Sequence, residues 1–80
     1  MTEEETLAKI TEVVRDELDD DDIVLTRDSR ADEVEGWDSL AHVRIVVAVE
    51  QSLETRFEMN DITELQTVGE LIDLIQRSSG

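Results

Sequence analysis

The stretch Gly36-Trp37-Asp38-Ser39-Leu40 stands directly before a helix-length run of residues. Asp38 is a favoured N-cap residue, because its carboxylate can accept hydrogen bonds from N–H groups that lack a carbonyl partner in the first helical turn. Ser39 then falls in that first turn, beside the free N–H groups and the positive end of the helix dipole. A phosphate esterified to the Ser39 hydroxyl would be stabilised there. The sequence therefore predicts a modifiable serine at the start of a helix.

The run that follows this motif can form either a helix or a buried strand. Its segment from Val43 to Val49 is rich in β-branched residues, which favour strands. For a short apolar run, length and flanking residues must decide between the two. The aspartate N-cap, the continuation to Leu53 and the shortage of other strand candidates favour a helix over residues 38–53.

Apolar residues occupy an unusually wide arc of this helix, at about 100° per residue. They form two clusters, of which the first comprises Ile45, Val46, Val49 and Leu53, and the second Leu40, Val43 and Val47. A surface helix normally needs one apolar stripe. We therefore expect the first cluster to face the core and the second to stay exposed beside Ser39. The alternative is a small bundle that buries both.

The composition is that of one small acidic domain. The 80 residues are 39% hydrophobic, with 1 Trp, 1 Phe and no Tyr, so aliphatic side chains must fill the core. Seven Lys and Arg against 22 Asp and Glu give a net charge of −15. This balance argues against nucleic acid, whose phosphates attract positive charge, and predicts partners with basic surfaces.

Other function classes are excluded by what the sequence lacks. It contains no cysteine, which excludes disulfides and thiolate metal sites. It shows no apolar segment of bilayer length and no basic-plus-apolar leader. We therefore expect a cytoplasmic protein that does not bind membranes. We also expect a monomer.

The first helix is marked by a capping box. Thr2 and Glu5 have the required spacing, and apolar residues follow at helical intervals, which predicts a helix over residues 3–18. The acidic run from Asp19 to Asp22 opposes the helix dipole and should end the helix. An EF-hand calcium loop has acidic residues at alternate positions and glycine at the sixth, whereas these aspartates are contiguous and the sixth position is Val24. We interpret the run as a solvated turn.

A connection over residues 19–37 follows, longer than an ordinary loop. We expect its apolar residues to hold it on the core and the polar residues 26–30 between them to be exposed. The apolar residues are Ile23, Val24 and Leu25 near its start and Val34 and Trp37 near its end.

The last third of the chain carries two further helix signals. Phe57 should anchor the bundle, and Asn60 or Asp61 can cap a short helix over about residues 60–65 that contains Ile62 and Leu65. A second capping box, Thr67 and Glu70, precedes apolar residues at helical spacing and predicts a helix over residues 68–77. Only Ser78-Ser79-Gly80 has a disordered composition.

At Asp38-Ser39-Leu40 the chain resembles the acyl carrier protein family, whose signature is Asp-Ser-Leu at the start of the second helix. The resemblance runs from the first capping box to Ile75 and includes the long first loop. It implies an all-α four-helix bundle, three main helices and one short one, in which residues 1–80 form a single carrier domain. It implies no enzymatic activity.

The resemblance also implies a cofactor. A phosphopantetheinyl transferase would move 4′-phosphopantetheine from coenzyme A to Ser39. The thiol of that arm would hold acyl groups as thioesters and deliver them to partner enzymes of fatty acid, polyketide or related biosynthesis. Those partners would be acyl-activating enzymes, acyltransferases or ketosynthases with basic docking surfaces.

Docking would use apolar contacts from Leu40, Val43 and Val47 within an acidic surround. The acidic residues are Asp38, Glu50, Glu54 and Glu58, and each of these glutamates has a solvated helix face as its alternative role.

Two features depart from related carriers. Ala41, His42 and Arg44 stand where many family members are acidic, which favours a dedicated pathway over the standard fatty acid synthase set. The motif also differs from the Gly-Gly-(His/Asp)-Ser signature of peptidyl carriers. This difference favours an acyl cargo, with an aminoacyl or peptidyl cargo as the alternative.

Two rival functions remain. Asp38, Ser39 and His42 lie within one helical turn and suggest a hydrolytic triad. Side chains on one helix diverge, however, whereas a triad needs its base, nucleophile and oxyanion donors to converge. We expect His42 to be half-buried at the core edge or on the helix surface. A cofactor-free acidic interaction module would share the fold and charge, so only Ser39 distinguishes it.

Overall fold

The polypeptide folds into four α-helices. A computed structural model describes residues 2–78, and within that range it contains no β-strand. The helices are α1 (Glu3–Leu18), α2 (Ser39–Leu53), α3 (Met59–Glu64) and α4 (Val68–Ser78), with a 3₁₀ turn at Ala31–Glu33. Helix α1 packs against both α2 and α4. The predicted all-α bundle with a long first loop is confirmed. No helix among the described residues is long and apolar enough to cross a membrane.

Helix α1 begins and ends where local sequence signals place its caps. The Thr2 hydroxyl accepts a hydrogen bond from the Glu5 N–H at 3.1 Å, and the Glu5 carboxylate accepts one from the Thr2 N–H at 3.0 Å. Asp19 adopts a left-handed conformation with φ 52°, and its N–H donates to carbonyls of the last turn. The predicted capping box and the helix end at the acidic run are both confirmed.

Aliphatic side chains of α1, α2 and α4 form the core. They are joined by two residues of the first loop, and the cluster comprises Ile10, Val13, Val14, Leu25, Trp37, Ile45, Val49, Val68, Leu71, Ile72 and Ile75. Burial of such a side chain contributes about 1.5–3 kcal/mol. Phe57 packs against this cluster but is only half-buried, so it supports the bundle from its edge.

The first loop (residues 19–38) is held on the core by alternate residues of its apolar run. Leu25 is 6% exposed, whereas Val24 is 76% exposed. Neighbouring side chains of an extended segment point in opposite directions, so Leu25 and Val24 cannot both face inward. The prediction that Val24 packs on the core was wrong. Trp37 is buried and Val34 half-buried, as predicted.

The middle of the first loop completes the start of α4. The N–H groups of Val68 and Gly69 donate at 2.9 Å to the carbonyls of Ser29 and Arg27. These N–H groups have no acceptor within α4 itself, because they belong to its first turn. The loop is therefore part of the cap of α4 and is fixed by it.

The second predicted capping box is only half formed. The Thr67 hydroxyl accepts from the Glu70 N–H at 3.2 Å, but the Glu70 carboxylate accepts from the Gln66 N–H at 3.3 Å. Thr67 lies in an isolated antiparallel bridge with Arg30. This pairing sets the direction of the chain before α4 and places the Gln66 N–H opposite the carboxylate.

Both ends of α3 and the end of α4 differ from the prediction. Helix α3 starts at Met59 rather than residue 60, because the Ile62 N–H donates to the Glu58 carbonyl at 3.1 Å. Glu58 is therefore its N-cap, and the predicted capping by Asn60 or Asp61 was wrong. Helix α4 includes Ser78, so the prediction of a disordered end was wrong for Ser78. The other two residues of that prediction, Ser79 and Gly80, lie outside the described residues.

Candidate functional site

The first turn of α2 presents Ser39 to solvent. Asp38 has an extended backbone and is the N-cap, and its Oδ1 accepts from the Ala41 N–H at 2.8 Å. Helix α2 thus begins at Ser39, one residue after the predicted start, because Asp38 caps the helix instead of belonging to it. The first intrahelical bond runs from the His42 N–H to the Asp38 carbonyl. The N–H groups of Ser39 and Leu40 precede it and have no helical acceptor.

A turn at Gly36 separates the buried from the exposed part of the motif. Gly36 has φ 90°, a conformation that side chains disfavour. The Trp37 N–H donates to the Val34 carbonyl at 3.1 Å and completes the turn. Trp37 then enters the core while Ser39 remains exposed.

Helix α2 has two apolar faces with different burial. Ile45, Val46 and Val49 are fully buried. The other cluster, which we call the exposed strip, lies outside the core: Leu40 is 63%, Val43 51% and Val47 42% exposed. The predicted division of the two clusters is confirmed, and the alternative in which the bundle buries both was wrong.

The acidic residues around the exposed strip differ in whether their carboxylates already accept a hydrogen bond within the bundle. Glu50 is half-buried, and its Oε2 accepts from the Phe57 N–H at 3.0 Å. It therefore fixes the turn that leads to α3. Glu54 ends α2 in a left-handed conformation, and Glu58 is the exposed N-cap of α3. Their predicted contacts with partners remain predictions.

Arg44 adds a positive charge at the edge of the exposed strip. Its side chain is exposed, four residues after Leu40 and three before Val47, and residues at these spacings are neighbours on a helix surface. The ion pairs of the described part of the chain involve Lys9, Arg27 and Arg30, not Arg44. Arg44 is therefore available to a partner.

His42 is committed to a hydrogen-bonded relay, which we define as Trp37, His42 and the Ile62 carbonyl. The indole Nε1–H of Trp37 donates to His42 Nδ1 at 3.1 Å, and His42 Nε2 lies 3.0 Å from the Ile62 oxygen. Indole N–H can only donate and a carbonyl can only accept. His42 Nδ1 therefore accepts and His42 Nε2 donates in this arrangement.

The relay decides against a hydrolytic triad. Both ring nitrogens of His42 are occupied by Trp37 and Ile62, so neither is free to act as a base toward Ser39. The prediction of a half-buried His42 is confirmed. Sequence reasoning missed the relay, because its acceptor is a backbone carbonyl 20 positions away.

Two other observations complete the site. Met59, the first residue of α3, is 71% exposed, and the sequence analysis did not single it out. Within residues 2–78 no group of three or more potential ligand residues is placed to hold a metal ion.

Together these features define a class of protein: a small acidic helical bundle that offers one exposed serine at a helix start beside an apolar strip. Comparison with known proteins agrees with this class. Residues 7–75 match the family model described as a phosphopantetheine attachment site. The chain is 26% identical over 80 residues to the acyl carrier protein of Borreliella burgdorferi (strain ZS7), covering 100% of both.

Two further relatives are more similar over most of the chain. Acyl carrier protein MbtL of Mycobacterium sp. (strain MCS) is 36% identical over 73 residues, which are 91% of this chain and 82% of that protein. The solution NMR structure of holo acyl carrier protein from Geobacter metallireducens matches with a TM-score of 0.84 at 36% identity, covering 92% of this chain and 85% of that one.

The chain belongs to the acyl carrier protein family. It is a carrier rather than an enzyme, and its cofactor is a covalently attached phosphopantetheine. Its function is to carry acyl groups and to interact with partner enzymes such as synthases and transferases. The family, fold and cofactor that the sequence predicted are confirmed.

Proposed function

We propose that Ser39 is the residue that carries the phosphopantetheine, and that residues 1–80 act as one carrier domain. The observation that carries this proposal is the exposed Ser39 side chain in the first turn of α2. The unpaired N–H groups of Ser39 and Leu40 can donate to phosphate oxygens, and the helix dipole favours negative charge there. One Asp38 oxygen is occupied by its bond to the Ala41 N–H, which keeps the helix start in this geometry.

The cofactor supplies a thiol at the end of a long arm, which forms thioesters with acyl groups. The chain contributes the attachment point and the surface that partners recognise. A tethered acyl group is held at high local concentration near each docked enzyme. The bundle therefore acts in delivery, and the partners perform the chemistry.

The exposed strip is the proposed docking surface. Clustered exposed apolar side chains mark interaction sites, and acidic surroundings favour partners with basic residues. A phosphopantetheinyl transferase, acyl-activating enzymes, acyltransferases and ketosynthases are the proposed partners. Asp38, Glu50, Glu54 and Glu58 form the acidic surround, of which Glu50 is the least free because it also binds the Phe57 N–H.

Arg44 supports a dedicated pathway. A standard partner surface built from basic residues would repel this exposed guanidinium, so the cognate partner should place an acidic group there. His42 offers no free ring nitrogen to this surface, since the relay occupies both. We propose an acyl cargo, with an aminoacyl or peptidyl cargo as the alternative; the cytoplasmic location and the monomeric state remain predictions.

Intact-mass spectrometry after incubation with coenzyme A and a broad-specificity phosphopantetheinyl transferase tests the attachment residue. We expect one phosphopantetheine adduct on the native chain and none on Ser39→Ala. The variant should melt at nearly the native temperature, because an exposed first-turn serine contributes little packing. An unmodified native chain would favour a cofactor-free module, and an adduct on Ser39→Ala would place the attachment elsewhere.

The same assay tests docking through the rate of modification. Val47→Asp places a charge on the exposed strip, whereas Val24→Asp places one on the first loop at a side chain that is also exposed. We expect Val47→Asp to slow modification about tenfold, which corresponds to about 1.4 kcal/mol, and Val24→Asp to modify at the native rate. Equal rates for the two variants would exclude the strip as the transferase contact.

A further inference from the structure

The enclosed space next to the attachment motif is very small. A cavity of about 10 Å³ lies between the first loop, α2 and the start of α4, with Trp37, His42, Leu65 and Leu71 in its lining. A space of this size holds at most about one water molecule. Two of its lining residues are themselves buried, with Leu71 2% and Trp37 8% exposed. An acyl chain can enter this space only if these elements separate.

The relay joins two elements around this space, the first loop and α2, to α3, which leads directly into the cavity-lining residue Leu65. Trp37 belongs to the first loop, His42 to α2 and the Ile62 carbonyl to α3. The indole and imidazole rings also stack, with centroids 6.1 Å apart and planes inclined by 30°. Moving α3 away from α2 breaks the bond from His42 to Ile62 and leaves part-buried polar groups unpaired, which is unfavourable.

Helix α3 has few other attachments. It is 6 residues long, and its N-cap Glu58 makes no side-chain hydrogen bond to it. Its apolar residue Ile62 and the following Leu65 are only half-buried. The relay is therefore a specific polar contact that holds α3 against α2.

We propose that the Trp37–His42–Ile62 relay keeps the bundle closed beside Ser39, so that the acyl group is carried outside the core. This inference rests on the proposed attachment at Ser39. Its consequence concerns substrate class: the bundle does not select acyl groups by length or polarity, and this selection is left to the partner enzymes. The acyl group is also accessible to a docked partner without extraction from the core.

The test uses the native chain loaded from acetyl, octanoyl and dodecanoyl coenzyme A by a broad-specificity transferase, with each adduct verified by mass. Trp37 is the single tryptophan, so its emission reports on the relay alone. We expect the same emission maximum and the same melting temperature for all three acyl lengths. A melting temperature that rises with acyl length, with shifted Trp37 emission, would overturn the proposal.

Two variants test whether the relay is the closing element. Trp37→Phe keeps an aromatic ring but removes the N–H donor, and His42→Ala removes both bonds. We expect the melting temperature of each variant to increase with acyl length, because the chain now enters the bundle. If Trp37→Phe folds and shows no dependence on acyl length, the relay is not what excludes the chain.

A separate measurement checks the relay without any loading. Nitrogen-15 NMR spectra of the unmodified protein should show His42 as the Nε2–H tautomer. An Nδ1–H tautomer would contradict the relay. Failure of the native chain to form any adduct would instead refute attachment at Ser39. The mass measurement thus tests the attachment, whereas the melting and NMR measurements test the relay.

Discussion

Glu5 is a residue whose charge is set by the helix end that it caps. Its pKa is lowered from its ordinary value of 4.5, first because its carboxylate accepts from the Thr2 backbone N–H and then because of the Thr2 side chain. Burial plays no stabilising part, because the group is exposed. Local hydrogen bonding is therefore the main reason why the charged form is favoured.

A pH series with Glu5→Gln tests this account. Since the folded pKa lies below the unfolded one, the charged carboxylate stabilises the fold above about pH 4.5, and this contribution is lost as the pH falls through the folded pKa. Glutamine keeps an acceptor but does not titrate. We expect the stability difference between the two proteins, measured by urea unfolding, to shrink between pH 6 and pH 3. A difference that does not change with pH would contradict the lowered pKa.

The residues that sequence reasoning placed correctly interact locally. Thr2 and Glu5 are three positions apart, and Asp38 caps an N–H three positions on, so spacing alone reveals both. The relay joins His42 to a carbonyl 20 positions away, and no side-chain pattern records a carbonyl. Val24 was misplaced because a run of apolar residues does not show which member faces inward.

The start of α4 is an element whose geometry depends on a missing side chain. Gly69 donates its N–H to the Arg27 carbonyl at 2.9 Å. A Cβ atom on Gly69 would lie 2.9 Å from the same oxygen, too close for a carbon contact. Because the neighbour is backbone, relief requires the loop or the helix to move. Glycine is thus needed here for close approach.

Gly69→Ala should reverse the usual effect of this substitution. In a helix, alanine is normally more favourable than glycine by about 1 kcal/mol, but here we expect a net loss of about 1–3 kcal/mol from the strained contact. Ser52→Ala, at an exposed position in α2, is the matched control and should change stability by less than about 0.5 kcal/mol. Urea unfolding measures both. A Gly69→Ala protein as stable as the native one would show that the loop yields freely.

The elements differed in how well their ends could be predicted. Helices α1 and α2 carry side-chain caps at Thr2 and Asp38, and their starts follow from the sequence. Helix α3 has no side-chain cap, so nothing local marks Glu58 as its N-cap. The first loop was predicted to be long, but its pairing with α4 through backbone bonds is a tertiary property that periodicity does not show.

The whole molecule is dominated by one sign of charge. Its net charge is −15, and the described ion pairs involve only Lys9, Arg27 and Arg30. These pairs lie at exposed positions and contribute little. Most carboxylates therefore repel one another across a molecule only 31 × 25 × 22 Å in extent. The same field should steer partners with basic surfaces toward the bundle.

Salt should therefore stabilise this protein, although it also weakens the ion pairs. The screening length falls from about 30 Å at 0.01 M ionic strength to about 8 Å at 0.15 M, so only adjacent carboxylates still repel at the higher value. We expect a gain of about 1 kcal/mol, seen as a rise in melting temperature of about 4–8 °C. In the double variant Asp21→Asn, Asp22→Asn the net charge is less negative, −13 instead of −15. That variant should melt higher at low salt and rise less on adding sodium chloride, because it has less repulsion to screen. A melting temperature that stays constant or falls with salt in the native chain would show that the few ion pairs outweigh the repulsion.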